Sequence, residues 1–324
     1  MLTTALTERF ALRYPIVNAP MTPAAGGALA RAVTDAGGLG FLGVDVNGDV
    51  ATLQADAAAA REGDEGRRFG IGFLIWVLDK RPDLLEAAIA LRPALVSISF
   101  GDPAPYVGPL HAAGIAVASQ VQTREAALRA QAAGVDVIVA QGTEAGGHTG
   151  RVATLPLLQI VLDLVRDRPV IAAGGIGGAR GVAAALAAGA AGAWMGTPFL
   201  FAQEARVTDE ARQRLIASSE GDTVLTSVFD RAQGYAWPPQ FPGRALRNTF
   251  TDRWHGHEDA MAADPAALAA YENAKRTRDY ALAHVYAGES VGMHDRVRPA
   301  ADIVRAFGDG AEALLRERLA TVLR

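Results

Sequence analysis

The 324-residue sequence contains no cysteine, which excludes disulfide bonds, thiolate nucleophiles and thiolate metal sites. It has no excess of positive charge either, because 31 basic and 35 acidic residues give a formal charge of −4, and this argues against a surface built to grip nucleic acid. No apolar run reaches membrane-spanning length, since glycines interrupt stretches such as AAALAAGAAGAWMG. The opening MLTTALTERF lacks a basic start followed by an apolar run, so no signal peptide is expected. These absences predict a soluble, cytoplasmic protein that binds neither nucleic acid nor membrane.

What the sequence does contain, from residue 15 to about residue 200, is a regular alternation of apolar runs and Ala-rich segments. Eight runs are apolar almost without interruption, which indicates strands covered on both faces, as in a parallel sheet. They are PIVNAP (15–20), LGFLGV (39–44), FGIGFLIW (69–76), LVSISF (95–100), IAVASQV (115–121), VDVIVAQ (135–141), PVIAAGG (169–175) and AGAWMG (191–196).

The Ala-rich segments between the runs have the character of helices. Examples are RPDLLEAAIALR and TREAALRAQAAG, the second of which Thr123 is placed to cap. Strand–helix alternation indicates an α/β fold with a parallel sheet, and eight units predict closure into a (β/α)8 TIM barrel. An open doubly wound sheet is the alternative.

After residue 200 the alternation breaks. Residues 206–287 are largely helical in pattern around a loop rich in proline and aromatic residues, GYAWPPQFPGRALRN, and we expect them to form a small helical cap. In the tail, the apolar positions Ile303, Phe307, Ala311 and Leu315 recur every four residues, as on one face of a helix that returns to the barrel. The predicted domains are therefore a barrel of residues 1–205 plus 288–324 and a cap of residues 206–287.

Glycine-rich loops follow the sixth, seventh and eighth predicted strands: QGTEAGGHTG, GGIGG and MGTPF. In a barrel of this kind the chemistry lies at the carboxyl ends of the strands, and the loops after strands seven and eight often hold a phosphate on backbone amides. These loops indicate a phosphorylated cofactor, and tight turns among small residues are the alternative interpretation. The G-x-G-x-x-G at Gly38 follows a helix and forms a strand, so it is not a dinucleotide-binding fingerprint.

The motifs NAPM, AQGTEAGGHTG, AAGGI and MGTPF, in this order at strand ends, resemble those of the nitronate monooxygenase family. The resemblance implies an FMN-dependent barrel that oxidises alkyl nitronates or nitroalkanes with dioxygen to a carbonyl compound and nitrite. Its implied partners are a small-molecule substrate and dioxygen, with a homodimer left open. Flavin-dependent enoyl reductases and NADH:quinone reductases share the barrel and much of the loop. An NAD(P)H-dependent flavin reductase acting on quinones or enoyl thioesters is therefore the alternative, and an FMN-binding barrel without turnover is the non-enzyme alternative.

The resemblance also assigns roles to individual residues, with His148 as the active-site histidine. A family asparagine that touches FMN is replaced here by Gly72, and Gln120 and Gln122 are candidates to supply the missing contact. The expected FMN-binding residues are Ala19, Pro20 and Met21 along the ring, Gly72 and Gln120 beside it, Gln141, Gly146 and Gly147 near the ring and ribityl chain, and Gly174, Gly175, Gly177, Trp194, Met195, Gly196 and Thr197 around the ribityl chain and phosphate.

A histidine near a flavin has two uses with nitro compounds. When neutral it can remove the α-proton of a nitroalkane, and when protonated it can hold the anionic nitro group by a charge-assisted hydrogen bond. Glu144 is interpreted as a solvated charge, with orientation of the loop or capping of the following turn as the alternative. His111 is interpreted as a helix cap or a surface residue, and His294 is a minor candidate for substrate contact. Tyr235 and Trp237 are expected to pack the cap or to wall an apolar pocket. The pair His255 and His257 lacks a carboxylate cluster, so no metal site is expected.

Overall fold

Each of the eight apolar runs forms a parallel β-strand in the computed structural model, which describes residues 2–322. The strand predictions are therefore confirmed for all eight. In chain order the strands are β1 (Ile16–Asn18), β2 (Phe41–Gly43), β3 (Gly70–Leu74), β4 (Leu95–Ser99), β5 (Ala116–Val121), β6 (Val137–Gln141), β7 (Gly147–His148), β8 (Val170–Ala173), β9 (Gly192–Met195), β10 (Thr223–Thr226) and β11 (Gly243–Leu246).

Helices alternate with these strands as the Ala-rich segments predict. At the start of the helix after β5, the Thr123 hydroxyl accepts a hydrogen bond from the Ala126 amide, which confirms the predicted cap. In chain order the helices are α1 (Ala5–Phe10), α2 (Gly27–Asp35), α3 (Val50–Arg61), α4 (Ile75–Leu78), α5 (Pro82–Leu91), α6 (Ala104–Ala112), α7 (Arg124–Ala132), α8 (Thr154–Leu164), α9 (Ala179–Ala187), α10 (Thr197–Leu200), α11 (Asp209–Ile216), α12 (Val228–Gln233), α13 (Thr249–Trp254), α14 (Glu258–Ala262), α15 (Pro265–Thr277) and α16 (Ala300–Val322).

The eight-stranded sheet closes on itself. Its order is β1-β9-β8-β6-β5-β4-β3-β2, with every pair parallel. A bridge between Val17 and Leu39 joins the two ends, and the Leu39 amide donates to the Ile16 carbonyl over 2.9 Å. The buried Asn18 side chain strengthens this seam, because its amide donates to the Phe41 carbonyl over 3.0 Å and its oxygen accepts from the Phe41 amide over 2.8 Å. The predicted (β/α)8 barrel is confirmed.

The barrel has two apolar layers, which explains why its strands read as continuous apolar runs. In β6, Val137 and Val139 belong to the cluster inside the barrel, whereas Ile138 and Ala140 belong to the layer between strands and helices. Alternate side chains of one strand thus enter different apolar environments, and no polar face is left.

Residues 206–287 form α11, β10, α12, β11 and α13–α15, so this segment contains two strands that the sequence did not predict. β10 and β11 are antiparallel, and β11 also pairs antiparallel with β7, which belongs to the loop after β6. The segment has a core of its own in which Phe229, Phe250 and Tyr271 pack together. The small sheet therefore joins this segment directly to the end of a barrel strand.

The carboxyl-terminal helix α16 packs against α9 and α2 of the barrel. Ile303, Phe307 and Ala311 are buried in the outer apolar layer and Leu315 packs against it, as their spacing predicts. Within residues 2–322, no helix is both long enough and apolar enough to cross a lipid bilayer.

Candidate active site

The loop after β6 carries His148 and is fixed by several contacts with neighbouring segments. The Glu144 carboxylate accepts hydrogen bonds from the amide and hydroxyl of Thr154, over 2.9 and 2.8 Å, at the first residue of α8. Glu144 therefore caps this helix, and the expectation of a merely solvated charge is wrong. Gly146 faces the backbone of Gly288, where an added Cβ would lie 2.5 Å from the Gly288 nitrogen, so only glycine fits this approach.

The backbone of His148 is fixed from two sides. On one side, β7 pairs with β11 so that His148 lies opposite Gly243. On the other, the Gln141 amide donates to the His148 carbonyl over 3.0 Å, and the buried Gln122 amide donates to the Gln141 oxygen over 2.7 Å. The two glutamines thus form a hydrogen-bonded chain along the strand ends. This chain fixes the backbone of His148, whether or not either side chain also contacts a ligand.

The imidazole of His148 is held by side chains of the 206–287 segment. Its Nε2 atom lies 2.9 Å from Oδ1 of Asp230, and the side chains of the two residues are only 10% and 5% exposed. The Tyr286 hydroxyl donates to the same Asp230 oxygen over 3.4 Å. Burial and the nearby Asp230 raise the pKa of Tyr286 well above its usual value, so this hydroxyl remains a donor. The indole of Trp237 stacks on the imidazole, with ring centroids 3.4 Å apart and planes within 5°.

Trp237 belongs to an aromatic cluster over the mouth of the barrel. Its ring meets Trp76 and Phe100 edge to face, with centroids 5.4 and 5.2 Å apart, and Phe241 packs against Phe100 in the same way. Trp237 therefore packs the 206–287 segment against the barrel, which is one of its two predicted roles, and the edge-to-face contacts fix the ring that lies on His148.

The loops after β8 and β9 present backbone amides at the same rim. Gly174 and Gly175 have left-handed backbone conformations, with φ of 101° and 68°. Within residues 2–322, the amides of Gly175, Gly196 and Thr197 donate to no protein acceptor. The Thr197 hydroxyl accepts from the Gly288 amide over 2.9 Å, which keeps its own proton free to donate. Three free amides and a hydroxyl on two adjoining strand ends have the chemistry that a phosphate requires.

The loop after β1 approaches these groups. A Cβ added at Gly196 would lie 3.3 Å from Sδ of Met21 and 3.6 Å from Cβ of Ala19, and one added at Gly72 would lie 2.3 Å from Cβ of Pro20. The structure therefore brings the predicted first-strand residues together with Gly72 and Gly196. Any side chain at Gly72 would collide with Pro20 where the chain now runs.

Other predicted residues differ in what they offer a ligand. Trp194 lies inside the barrel against Phe41, and its buried Nε1 has no hydrogen-bond partner within residues 2–322. Met195 points into the outer apolar layer, so only its backbone faces the rim. Gln120 is half-buried at the end of β5, where its backbone amide donates to the Ser99 hydroxyl over 3.0 Å.

The remaining predicted positions lie in the loops already described. Gly147 begins β7 with φ of 70°, and a Cβ there would meet no atom within 4 Å. At Gly177 an added Cβ would lie 2.5 Å from Sδ of Met293 and 2.7 Å from Cβ of Ser290, so the GGIGG loop packs closely against the segment that follows Gly288. The free amides, the close approaches that only glycine allows and the unpartnered indole nitrogen all fit a flat, phosphorylated cofactor such as FMN.

The sequence did not identify Asp230, Tyr286 or Arg244 as parts of this site. Asp230 is separated from His148 by 82 residues and lies in an ordinary amphipathic helix, so no local pattern marks it. The buried Arg244 donates to the Thr143 carbonyl over 2.8 Å and pairs with Glu289 over 3.0 Å, which clamps the His148 loop between β11 and the segment after Tyr286.

One other histidine, His284, lies beside this cluster, because its ring packs against Tyr286 with centroids 4.9 Å apart and its Nδ1 lies 2.6 Å from the Tyr271 hydroxyl. His111, His255 and His294 lie apart from it. His111 contacts Asp136 over 2.8 Å at the surface, and His255 lies 3.8 Å from Glu258. His294 is buried between Phe201 and Phe307, and burial lowers its pKa to about 4. No group of three histidine, aspartate or glutamate side chains within the described part of the chain is arranged to hold a metal ion.

Comparison with known proteins assigns the chain to a family. The nitronate monooxygenase family profile matches residues 81–308. The chain is 35% identical to nitronate monooxygenase npaC of Metarhizium robertsii, over 93% of this chain and 91% of that protein. The solved structure of nitroalkane oxidase from Streptomyces ansochromogenes has a TM-score of 0.83 with 28% identity, covering 98% of this chain and 100% of that chain. FabK from Thermotoga maritima has a TM-score of 0.86 with 27% identity, covering 99% and 100%.

Some relatives carry other names and are longer. The chain is 35% identical to an octahydro-1H-indene-4-carboxyl-CoA dehydrogenase of Rhodococcus jostii, over 71% of this chain but only 64% of that protein. It spans 60% of a further curated relative from Mycobacterium tuberculosis. The family profile covers more than half of the chain, and npaC is matched over nearly its full length, so the predicted family is confirmed. The chain belongs to the nitronate monooxygenase family.

Proposed function

We propose that the protein is an FMN-dependent enzyme that oxidises alkyl nitronates, and nitroalkanes after deprotonation, with dioxygen to a carbonyl compound and nitrite. The observation that carries the proposal is the imidazole of His148, fixed at the barrel mouth on the same rim as the free amides of Gly175, Gly196 and Thr197. The names of family relatives, nitronate monooxygenase and nitroalkane oxidase, support this substrate class.

Three regions of the rim would bind FMN. The amides of Gly175, Gly196 and Thr197 would bind the phosphate, because backbone N–H donors that are free of protein acceptors favour an anion. The loop of Ala19, Pro20 and Met21 would lie along the ring, and Gln120 would supply the polar contact that Gly72 cannot. Bound FMN supplies the redox chemistry, accepting electrons from the nitronate and passing them to dioxygen.

His148 would accept the α-proton of a nitroalkane and stabilise the negative charge of the nitro group. With a neutral nitroalkane, the imidazole removes the α-proton and retains it. With a nitronate, the protonated ring donates a charge-assisted hydrogen bond to an oxygen of the anion. A preorganised donor of this kind contributes roughly 2.7–4 kcal/mol to transition-state stabilisation. The surrounding aromatic wall of Trp76, Phe100 and Trp237 keeps bulk water from the ring.

A reductase acting on acyl thioesters or quinones is the second candidate. The similarity to the carboxyl-CoA dehydrogenase of Rhodococcus jostii is the observation that favours it. Rapid anaerobic mixing of the flavin-loaded protein with NADH or NADPH separates the two functions, because a reductase must lose its flavin absorbance at a catalytically competent rate.

The decisive test starts from the purified protein's visible spectrum and from the flavin released on heating, which should be FMN. Anaerobic addition of ethyl or propyl nitronate should bleach the flavin, and air should restore the colour with release of nitrite. Bleaching by NADPH alone, with no nitrite from nitronates, would replace this proposal by the reductase. The cytoplasmic location and the oligomeric state stay predictions that fractionation and light scattering can test.

A further inference from the structure

We propose that Asp230 is a positioning residue that fixes the tautomer of His148, so that Nε2 carries the proton and Nδ1 is the basic nitrogen. This inference rests on the proposed function for its catalytic consequence, but the tautomer itself can be measured without any substrate.

The side chain of Asp230 is buried, with only 5% of it exposed. A buried carboxylate is strongly destabilising unless charged or hydrogen-bonding partners compensate it. Within residues 2–322 its side-chain partners are His148, over 2.9 Å, and Tyr286, over 3.4 Å. Within the described residues Asp230 makes no helix-cap hydrogen bond and no salt bridge to arginine; its place in the first turn of α12 favours a negative charge, and its side-chain hydrogen bonds go to His148 and Tyr286.

The donors on this carboxylate decide which nitrogen of His148 carries hydrogen. An ionised carboxylate only accepts hydrogen bonds. Tyr286 points its hydroxyl at the same Oδ1 atom and stays protonated, because burial and Asp230 raise its pKa. The Nε2 atom of His148 must then be the donor in the 2.9 Å contact. A neutral imidazole with its proton on Nε2 has its free electron pair on Nδ1.

The ring cannot easily turn to exchange its nitrogens. Trp237 covers one face in a parallel stack with centroids 3.4 Å apart. Gly243, opposite His148 in the small sheet, lies so close that an added Cβ would be 3.4 Å from Nε2. The indole and the strand thus hold the ring in the plane in which Nε2 meets Asp230.

The catalytic consequence is a balanced proton transfer. The C–H bond next to the nitro group breaks, its electron pair moves onto the nitro group to give the nitronate, and the proton forms a new N–H bond at Nδ1. The resulting imidazolium carries a positive charge that the Asp230 carboxylate, already hydrogen-bonded at Nε2, compensates. A preformed nitronate needs no such transfer, so it should depend less on Asp230.

The first test is the substitution Asp230→Asn, measured with neutral nitroethane and with ethyl nitronate. An asparagine can turn its amide group to donate to Nε2 and so favour the opposite tautomer. A comparable aspartate-to-asparagine change beside a catalytic histidine lowers turnover by about 10⁴-fold. We expect turnover of nitroethane to fall by roughly 10²- to 10⁴-fold and that of the nitronate by less than about tenfold. Equal losses with the two substrates, or none, would overturn the inference.

The control is Asp259→Asn, the same chemical change at a side chain that is 95% exposed and paired with Arg231. It should leave both activities within about twofold of the wild type, because an exposed ion pair contributes little.

The second test is ¹⁵N NMR of histidine-labelled protein loaded with FMN, with His148→Gln to identify the resonance. In the wild type, Nε2 of His148 should carry the proton and Nδ1 should not, and Asp230→Asn should shift the proton towards Nδ1. A wild-type ring protonated on Nδ1 alone would overturn the inference, even if the variant fails to fold. The expected tautomer without nitronate oxidation would support the role of Asp230 and refute the proposed function instead.

Discussion

A methyl group added at Gly243 tests the packing around His148 most sharply. The added Cβ would lie 2.9 Å from Cε1 of Tyr286 and 3.4 Å from Nε2 of His148, whereas carbon atoms normally approach to about 3.5–4.0 Å. The Tyr286 ring would therefore have to retreat by roughly 0.6–1.1 Å. Its hydroxyl already lies 3.4 Å from Asp230, so the retreat should break that hydrogen bond.

The expected result of Gly243→Ala has two parts. Overpacking of this kind destabilises by about 1–3 kcal/mol, which a urea unfolding curve would show as a lower midpoint with an unchanged slope. The 3.4 Å contact with His148 is an ordinary van der Waals distance, so turnover of nitroethane should fall through the lost Tyr286–Asp230 hydrogen bond. The loss should be smaller than the roughly 10²-fold that a 1 Å misplacement of the catalytic group itself would cost, and FMN should stay bound.

The matched control is Gly221→Ala in the exposed turn Glu220–Asp222, where an added Cβ meets no atom within 4 Å. This change should be neutral or stabilising by up to about 1 kcal/mol, because alanine restricts the unfolded chain more than glycine does. Wild-type stability and turnover in Gly243→Ala would refute the reasoning, since they would mean that Tyr286 and His148 are not packed as described.

Two further predictions follow from buried positions in the barrel and its tail. Gly72→Asn, which introduces the residue that the family resemblance implies at this position, should weaken FMN binding and lower stability by about 1–3 kcal/mol, because its Cβ would lie 2.3 Å from Pro20; flavin fluorescence titration and urea unfolding check this. His294 is buried and its pKa is lowered to about 4, so the unfolded chain binds its proton first as the pH falls. The contribution of neutral His294 to the free energy of unfolding is therefore complete above pH 6.5. At pH 5 the free energy of unfolding should be lower by roughly 2 kcal/mol, and His294→Leu should remove this pH dependence.

The barrel could be predicted from the sequence because its physical cause is local. Strands such as Val137–Gln141 are covered on both faces, so they are continuous apolar runs, and the glycine loops after them mark the rim where a ligand binds. The position of His148 on such a loop followed from the same order of elements.

The surroundings of His148 could not be predicted, because they depend on contacts between distant parts of the chain. Asp230 and Tyr286 reach the imidazole only after β11 has paired with β7, and a two-residue strand such as Gly147–His148 has no periodicity to detect. Glu144 was misjudged for a similar reason, since its partner Thr154 lies ten residues away across a glycine-rich loop.

The most direct measurement of the central claim is anaerobic stopped-flow reduction of the FMN-loaded protein by nitroethane, comparing the wild type with His148→Ala. The account predicts that both proteins bind FMN, that the wild type is bleached and yields nitrite once air is admitted, and that the variant is bleached more slowly by orders of magnitude. Equal rates of bleaching in the two proteins, or bleaching by NADPH but not by any nitro compound, would contradict it.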